Sequence, residues 1–480
     1  MPEIQDNGLG FQGSCWQYNR PSRVCRTGLI SLKKGHAMNR RWIWMTSLAF
    51  SVCLWSSVRA DDWPQWLGPK RDSVWRESGI VELFPENKLP VKWRVPINGG
   101  YSGPAVAGGK VFVTDYLKTA GNAVNNPGER PELKGKERVL CLDAATGKEL
   151  WKHEYDCPYA ISYPAGPRAT PTVADGKVYV LGAEGNLHCL SADNGEVVWS
   201  KELKKDYKCQ SPIWGFCAHP LIEGNKLICV VGGEGSTAVA LDKETGKELW
   251  RSIDARHPGY CPPTIIEAAN TRQLLIWDAN KLNSLNPETG KPYWSFDLAA
   301  QYDMSIMAPR KLGDYLFASA IGNVGACLKL SSDKPGAELV WKETARNGIP
   351  CANSTPFLDD GMIYGADCQQ GMFRGAKLDT GERVWETYVP TTGNSGQRAS
   401  HGTAFIVKHA DRFFLFSETG DLILAKLSPT GYEELSRFHV LEPTGECFGR
   451  TVVWSHPAFA NKCCFARNDK EIVCVSLAKE

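Results

Sequence analysis

The sequence predicts an all-β fold: an eight-bladed β-propeller of four-stranded antiparallel blades, the last blade closed by an N-terminal strand near Trp93. Three observations carry the prediction. One strand–turn–strand phrase is rewritten along the chain, most clearly at 240–250 (ALDKETGKELW). Strand-like runs restart at Pro104, Pro171, Pro220, Pro263, Pro309, Pro356, Gly402 and Pro457, which makes eight units. The last unit runs out at Glu480 after three strands, while the alternating run 91–95 has no partner strand before it. A self-similar period decides architecture ahead of local signals. A ring closed by both chain ends also removes free sheet edges that would invite aggregation.

Each part of the phrase has a physical reason. A Leu is followed by Asp143, Ser191, Asp242, Asn286, Ser331, Asp379 or Ser428, whose short side chains bond the backbone two residues on and start a turn. Gly147, Gly195, Gly246, Gly290, Gly336, Gly381 and Gly431 then supply positive φ at little steric cost. A Trp brings a large apolar surface to the outer strand, where it packs against the neighbouring unit. Trp151, Trp199, Trp250, Trp294, Trp341 and Trp385 are therefore expected to be structural docking residues, with Leu435 in this place in the seventh unit.

Taken in order, residues 1–37 show no period and read as a non-native upstream extension or a disordered segment. Residues 38–60 have a basic start at Arg40 and Arg41, an apolar run, and small residues at Val58 and Ala60. That is the pattern of a signal peptide cleaved near Ala60, which predicts a periplasmic or secreted protein. An uncleaved membrane anchor is the alternative, for which the apolar run is barely long enough. Residues 61–480 are expected to form the single propeller, entered through the aromatic, turn-rich lead 63–72 (WPQWLGPKRD).

The formal net charge is +2, and eight basic but two acidic residues fall in 1–60, leaving 47 basic against 51 acidic beyond it. Nothing in that balance points to nucleic acid. Of 17 cysteines, fourteen follow Ala60, at no repeated zinc spacing. Cys141, Cys189, Cys229 and Cys474 lie in apolar strand runs and read as buried small hydrophobes. Cys157, Cys209, Cys217, Cys261 and Cys351 lie in loops and are the disulfide candidates of an exported chain.

The Asp-x-x-Thr-Gly-x-x-x-Trp repeats, the eight units and the closing strand resemble the pyrroloquinoline-quinone (PQQ)-type propeller repeat family. Quinoprotein alcohol dehydrogenases and the outer-membrane assembly lipoproteins share that fold. The lead WPQWLGP, with 163–171 (YPAGPRATP) and 182–186 (GAEGN), is similar to a secreted bacterial subfamily described as PQQ-binding-like. The resemblance covers about residues 61–480. It implies the fold and leaves activity open, because the repeated phrase is a blade-docking device.

Loop lengths mark one elaborated face. The third-to-fourth-strand turns are tight, whereas the blade connections 154–169, 204–218, 344–355, 390–401 and 441–456 are long. An insertion at 117–137 emerges on the same face and reads either as a surface loop or as a lid over the channel mouth. The residues preceding each first strand form a collar: Tyr163, Arg168, Trp214, His219, Tyr260, Arg310, Asn353, Arg398, His401, Arg450, Trp454 and His456. Acids are nearly absent from these stretches, Asp303 excepted. Arg suits bidentate recognition of carboxylate, sulfate or phosphate, and aromatic rings suit stacking. His219, His401 and His456 have no further ligand at metal spacing, so no metal is expected. Cys463 and Cys464 match a vicinal pair that covers the quinone in the dehydrogenases, but here they fall inside a strand and read as packed thiols.

These residues predict a non-catalytic binding or scaffold propeller whose collar takes an anionic small molecule, a glycan or a protein segment. The alternative implied by the resemblance is a PQQ- and Ca2+-dependent dehydrogenase oxidising an alcohol or sugar. That reading needs carboxylate ligands and a base, which the acid-poor collar does not offer.

Overall fold

The computed structural model describes residues 61–393 and 396–479, so the predicted signal peptide and upstream extension lie outside the described residues. Among the described residues are eight four-stranded antiparallel blades. Their innermost strands begin at Ala105, Thr172, Leu221, Thr264, Arg310, Phe357, Ala404 and Ala458, in blades one to eight. Each lies one or two residues beyond its predicted Pro or Gly. Blade eight consists of Ala458–Ala460, Cys463–Arg467, Glu471–Ser476 and, outermost, Val91–Pro96. That last pairing is antiparallel and runs from Val91 opposite Val475 to Pro96 opposite Glu471. The first and last strands of the propeller therefore share one sheet.

The inner strands are packed on both faces, so Met362–Ala366 and Cys463–Arg467 are buried throughout. Outer strands such as Glu149–Asp156 alternate between exposed and covered positions, as a sheet with one wet face requires. The Asp of the repeated phrase starts its turn as expected. Asp143 Oδ1 accepts from Ala145 N (3.1 Å), Thr146 N (2.8 Å) and Thr146 Oγ1 (2.7 Å).

The Trp of one blade caps the turn of the next. Trp151 Nε1 donates to Ala192 O (3.2 Å), Trp199 to Lys243 O (3.0 Å), Trp250 to Pro287 O (3.2 Å), Trp341 to Leu378 O (2.9 Å) and Trp385 to Ser428 O (2.9 Å). Trp93 on the closing strand does the same to Ala144 O (3.0 Å), which carries the device from blade eight to blade one. The ring lies on the turn glycine: a Cβ on Gly195 would sit 2.5 Å from Trp151, and one on Gly246 2.8 Å from Trp199. Trp294 differs, donating to Gln273 Oε1 (2.9 Å) in its own blade. The next turn is the looser copy at Ser331–Gly336, where Gly336, against expectation, does not have positive φ.

Two expectations change. The insertion 117–137 is largely a hairpin, because Lys110–Ala120 and Glu132–Asp143 extend into it and leave 121–131 as the connection. The cysteines proposed for disulfides are separate thiols: Cys157, Cys261 and Cys351 are buried, and Cys209 and Cys217 are half-buried. They serve as packing residues in loops that are themselves covered.

The lead segment is a channel plug. Trp63 pairs with Val106 of blade one, Pro64 O accepts from Val173 N of blade two (2.8 Å), and Arg71 Nη1 donates to Pro220 O before blade three (2.9 Å). Arg310 of blade five donates back to Asp72 O (2.8 Å), and Lys408 of blade seven exchanges backbone bonds with Ser73 and Trp75, both 2.9 Å. The chain then leaves the axis, with Phe84 N donating to Ser436 Oγ (3.1 Å), and reaches the outer strand at Val91. Burial lowers the Arg71 guanidinium to about 9 and that of Arg310 to about 10, and main-chain carbonyls hold both.

One buried acid makes a pH test of this packing. Glu343 follows the outer strand of blade five, is 6% exposed, and accepts from Ser319 Oγ (2.7 Å) while its Oε1 has no partner. Burial pushes its carboxyl up to about 8. With the folded value above the unfolded one, its contribution is complete below about pH 4.5 and is lost as pH rises through 8. Glu343→Gln is expected to keep its stability across that range while the parent loses on the order of 3 kcal/mol at this site. Urea melts of both proteins at pH 5 and pH 8 check this. Equal pH slopes would show that Glu343 is ionised in the fold.

Candidate functional site

The long blade connections and the plug enclose a cavity of about 1010 Å³ at the channel mouth. Its floor is Trp66, which the plug lifts against the collar. Trp66 is 4% exposed and stacks on His219 with centroids 4.7 Å apart and planes at 12°. His456 meets both edge-on, 5.9 Å from Trp66 and 6.1 Å from His219. The ring thus narrows enough for blades three and eight to meet over one indole.

Ten of the twelve sequence-named residues line this cavity: Tyr163, Arg168, Trp214, His219, Tyr260, Asn353, Arg398, His401, Trp454 and His456. Arg310 and Arg450 do not. Arg310 turns to the plug, as described above. Arg450 pairs with Glu418 through Nε (2.7 Å) and Nη2 (3.1 Å) and also donates to Ser400 O (2.8 Å).

The chemistry of the mouth also differs from a basic collar. Arg168 Nε donates to Trp214 O (2.9 Å) and its Nη2 to Ser162 O (2.8 Å) and Tyr163 O (2.6 Å), while Nη1 reaches Gly166 O. Its guanidinium lies 5.2 Å from the Tyr101 ring centre. Arg256 pairs with Asp303. Arg168, Arg256, Arg310 and Arg450 therefore fasten loops, each with acceptors supplied by the protein. Arg398 lines the cavity and donates from Nε to Gln369 O (3.1 Å).

The acids that sequence reading missed sit one layer deeper, in the second-to-third-strand turns. Glu184 accepts from Ala160 N (2.8 Å), Lys204 Nζ (2.6 Å) and Ser211 Oγ. Glu418 accepts from Thr403 N (2.9 Å) as well as from Arg450. The GAEGN and SETGD strings carried the signal, but as turns they read only as polar. These carboxylates hold the collar loops and do not face the cavity.

The histidines are neutral. Burial holds His219 well below the ordinary imidazole value, with help from His456 and Arg71, and His219 Nδ1 accepts from Thr170 N (2.8 Å). His401 falls to about 4 through burial and the Arg450 charge, and His456 to about 3 through burial. His401 stacks on Phe448 with centroids 5.2 Å apart, and its Nδ1 lies 3.1 Å from Asn353 Oδ1. Among the described residues, no three His, Cys, Asp or Glu side chains gather as a metal site.

A Ca2+-held quinone would need hard oxygen ligands. Asp303 is the one carboxylate in the lining, and it pairs with Arg256. Cys463 and Cys464 are buried in a blade-eight strand opposite Ser476 and Val475, away from the lining. The residues present do not fit that group.

What remains is a bowl of aromatic and aliphatic surface. Trp214 lies 5.4 Å from Tyr260, and Tyr163 6.2 Å from Trp454, ring centre to ring centre. Met304, Ile306, Ile321 and Ile213 add aliphatic surface to the lining. The blade-one connection crosses the mouth: Asn125 Nδ2 donates to Glu446 O (3.0 Å), Ser162 Oγ to Asn126 O (2.6 Å) and Arg130 Nη1 to Ser211 O (3.4 Å). Pro127 and Gly128 line the cavity from above, so the insertion is a strap over it.

A family model described as outer membrane protein assembly factor BamB matches residues 135–387 and 278–479. The quinohemoprotein alcohol dehydrogenase ADH IIB of Pseudomonas putida is 29% identical over 208 residues, or 38% of this chain and 28% of that protein. The outer membrane protein assembly factor BamB of Shewanella oneidensis is 23% identical over 229 residues, or 45% of this chain and 56% of that protein. The matches thus span 28% and 56% of these relatives' own lengths. Among solved structures, BamB from Moraxella catarrhalis superposes with a TM-score of 0.51 at 16% identity, covering 82% of this chain and 99% of that one. Quinohemoprotein alcohol dehydrogenase from Comamonas testosteroni gives 0.54 at 14% identity, covering 87% and 81%. At such identities the likeness is one of fold.

Proposed function

The chain belongs to the family described as outer membrane protein assembly factor BamB, and from that premise we propose that it is an exported, non-catalytic binding propeller. Its cavity holds a small molecule, or a short length of a larger one, against aromatic surface. The carrying observation is the composition of the mouth. A closed-bottom cavity of about 1010 Å³ is lined mainly by rings and aliphatic side chains, with its lining carboxylate already paired. Pockets of this size and polarity are the usual sites of small-ligand binding. A dehydrogenase would need a base and metal ligands aimed at the substrate, and this lining supplies neither in unpaired form.

The neutral fluorophore N-phenyl-1-naphthylamine tests the reading. Residues 61–480 are expected to bind it at one site with a rise in emission. Ile321→Trp, which fills the wall, is expected to weaken binding at least tenfold without changing the melt. Absence of dye binding sinks the proposal. So does a stoichiometric quinone adduct, formed with PQQ and Ca2+, that oxidises alcohols with a dye acceptor.

A further inference from the structure

The rim of the cavity holds two aromatic rings that the fold leaves bare. Tyr302 is 73% exposed and Phe448 48% exposed, and both line the mouth. Tyr302 stands between blades four and five, whereas Phe448 tips the hairpin Gly445–Cys447 and Arg450–Val452, between blades seven and eight. The two rings therefore come from different sectors of the ring.

Their backbones are unusual. Tyr302 (φ 57°) and Phe448 (φ 46°) are left-handed, as are Tyr163 (φ 50°) and His401 (φ 57°). Among the described residues these are all the aromatic side chains with positive φ, and every one lines the cavity. Large side chains avoid this region, and residues held in it gather at functional sites. Of the four, Tyr302 and Phe448 present their rings at the rim, whereas Tyr163 is buried.

Each bare ring has planar polar groups beside it. Gln301 and the Asp303–Arg256 pair flank Tyr302. Phe448 lies parallel to His401 at 2°, with Asn353 on His401 Nδ1 and Gln369 in the same wall. The pattern of flat apolar faces edged by amides and a carboxylate–guanidinium pair is complementary to a pyranose ring. A pyranose offers an apolar C–H face to a π-system and a rim of hydroxyls to amides. An anion is a poorer match, since protein acceptors hold Arg168, Arg256 and Arg450. A peptide added as a strand would require an open sheet edge, and the rim is built from connections.

The geometry points to a neutral oligosaccharide site at the rim, with one sugar on Tyr302, another on Phe448, and the chain crossing the mouth beneath the strap at 121–131. The inference rests on the ligand-cavity reading above and names the ligand class.

Isothermal titration of residues 61–480 with chitotetraose and with cellotetraose, each at low and high salt, tests it. At least one is expected to bind, with an affinity that does not change with salt, since no charge is neutralised. Tyr302→Ala and Phe448→Ala are each expected to weaken it about tenfold. Both side chains are exposed, so the melt should be unchanged. If the dye binds and neither tetrasaccharide does, the glycan assignment falls while the cavity reading stands. Sugar binding that survives both substitutions also overturns it. If neither dye nor sugar binds, both readings fall together.

Discussion

Deletion of residues 61–96 is expected to leave a chain that cannot reach a cooperatively folded state. The deletion removes the outer strand of blade eight and exposes the paired edge of Glu471–Ser476. It also removes Trp63, Trp66, Trp75 and Trp93, at 2%, 4%, 1% and 8% exposure, all of which pack against residues far along the chain. Arg310 would lose its carbonyl partners on the plug, and Lys408 its backbone pairing with Ser73 and Trp75. An unfilled buried guanidinium and an open channel lined by apolar side chains are each costly. Trp75→Ala isolates the packing part and should cost about 3–5 kcal/mol. Urea denaturation followed by tryptophan emission and far-ultraviolet circular dichroism measures both. A truncated protein with the same midpoint and slope as residues 61–480 would show that the ring closes without its N-terminal strand.

The second large effect concerns the Trp–Gly contact between blades. Gly195→Ala is expected to be nearly as damaging as Trp151→Ala, at about 3–5 kcal/mol. The new methyl would lie 2.5 Å from the Trp151 ring at φ +75°. Gly176→Ala is the internal control, since Gly176 has a similar φ of +71° but nothing within 4 Å. It should carry only the backbone penalty, about 1 kcal/mol. Equal losses at the two glycines would show that the cost is conformational alone and that the ring contact contributes little. The same comparison separates Trp294, whose indole bonds within its own blade, from the six that reach across, Trp93 included.

The sequence made the propeller legible because its docking device repeats, and each copy reports the same physical need. The closing strand was legible through a shortage, three strands at the C-terminus against one spare at 91–95. Membership of the cavity lining was largely legible too, since the long connections that lead into the inner strands were already marked by their length. The role of each charge was not. Arg168 and Arg450 look alike as letters, yet one binds four carbonyl groups and the other binds Glu418 and one carbonyl. Those partners sit 2 to 46 residues away for Arg168 and 32 or 50 for Arg450. Tyr302 and Phe448 were missed because nothing in composition announces a left-handed aromatic residue. The plug was read only as an aromatic lead, because its partners are spread over blades one, two, three, five and seven.

That plug also sets an order of events. Ser73 Oγ bonds to Ile406 O, 333 residues away, and Arg310 reaches Asp72 across 238. A chain made from its N-terminus produces Asp72 and Ser73 first and their partners much later. The segment 63–75 cannot complete its pairing until blade seven exists, and blade eight cannot be completed until Val91 is brought back to Val475. Contacts of such sequence separation are slow to form, since the entropy of closing the loop is lost before any bond repays it. The blades can assemble locally, one hairpin after another, but sealing the channel is a single late step that joins the oldest part of the chain to the newest.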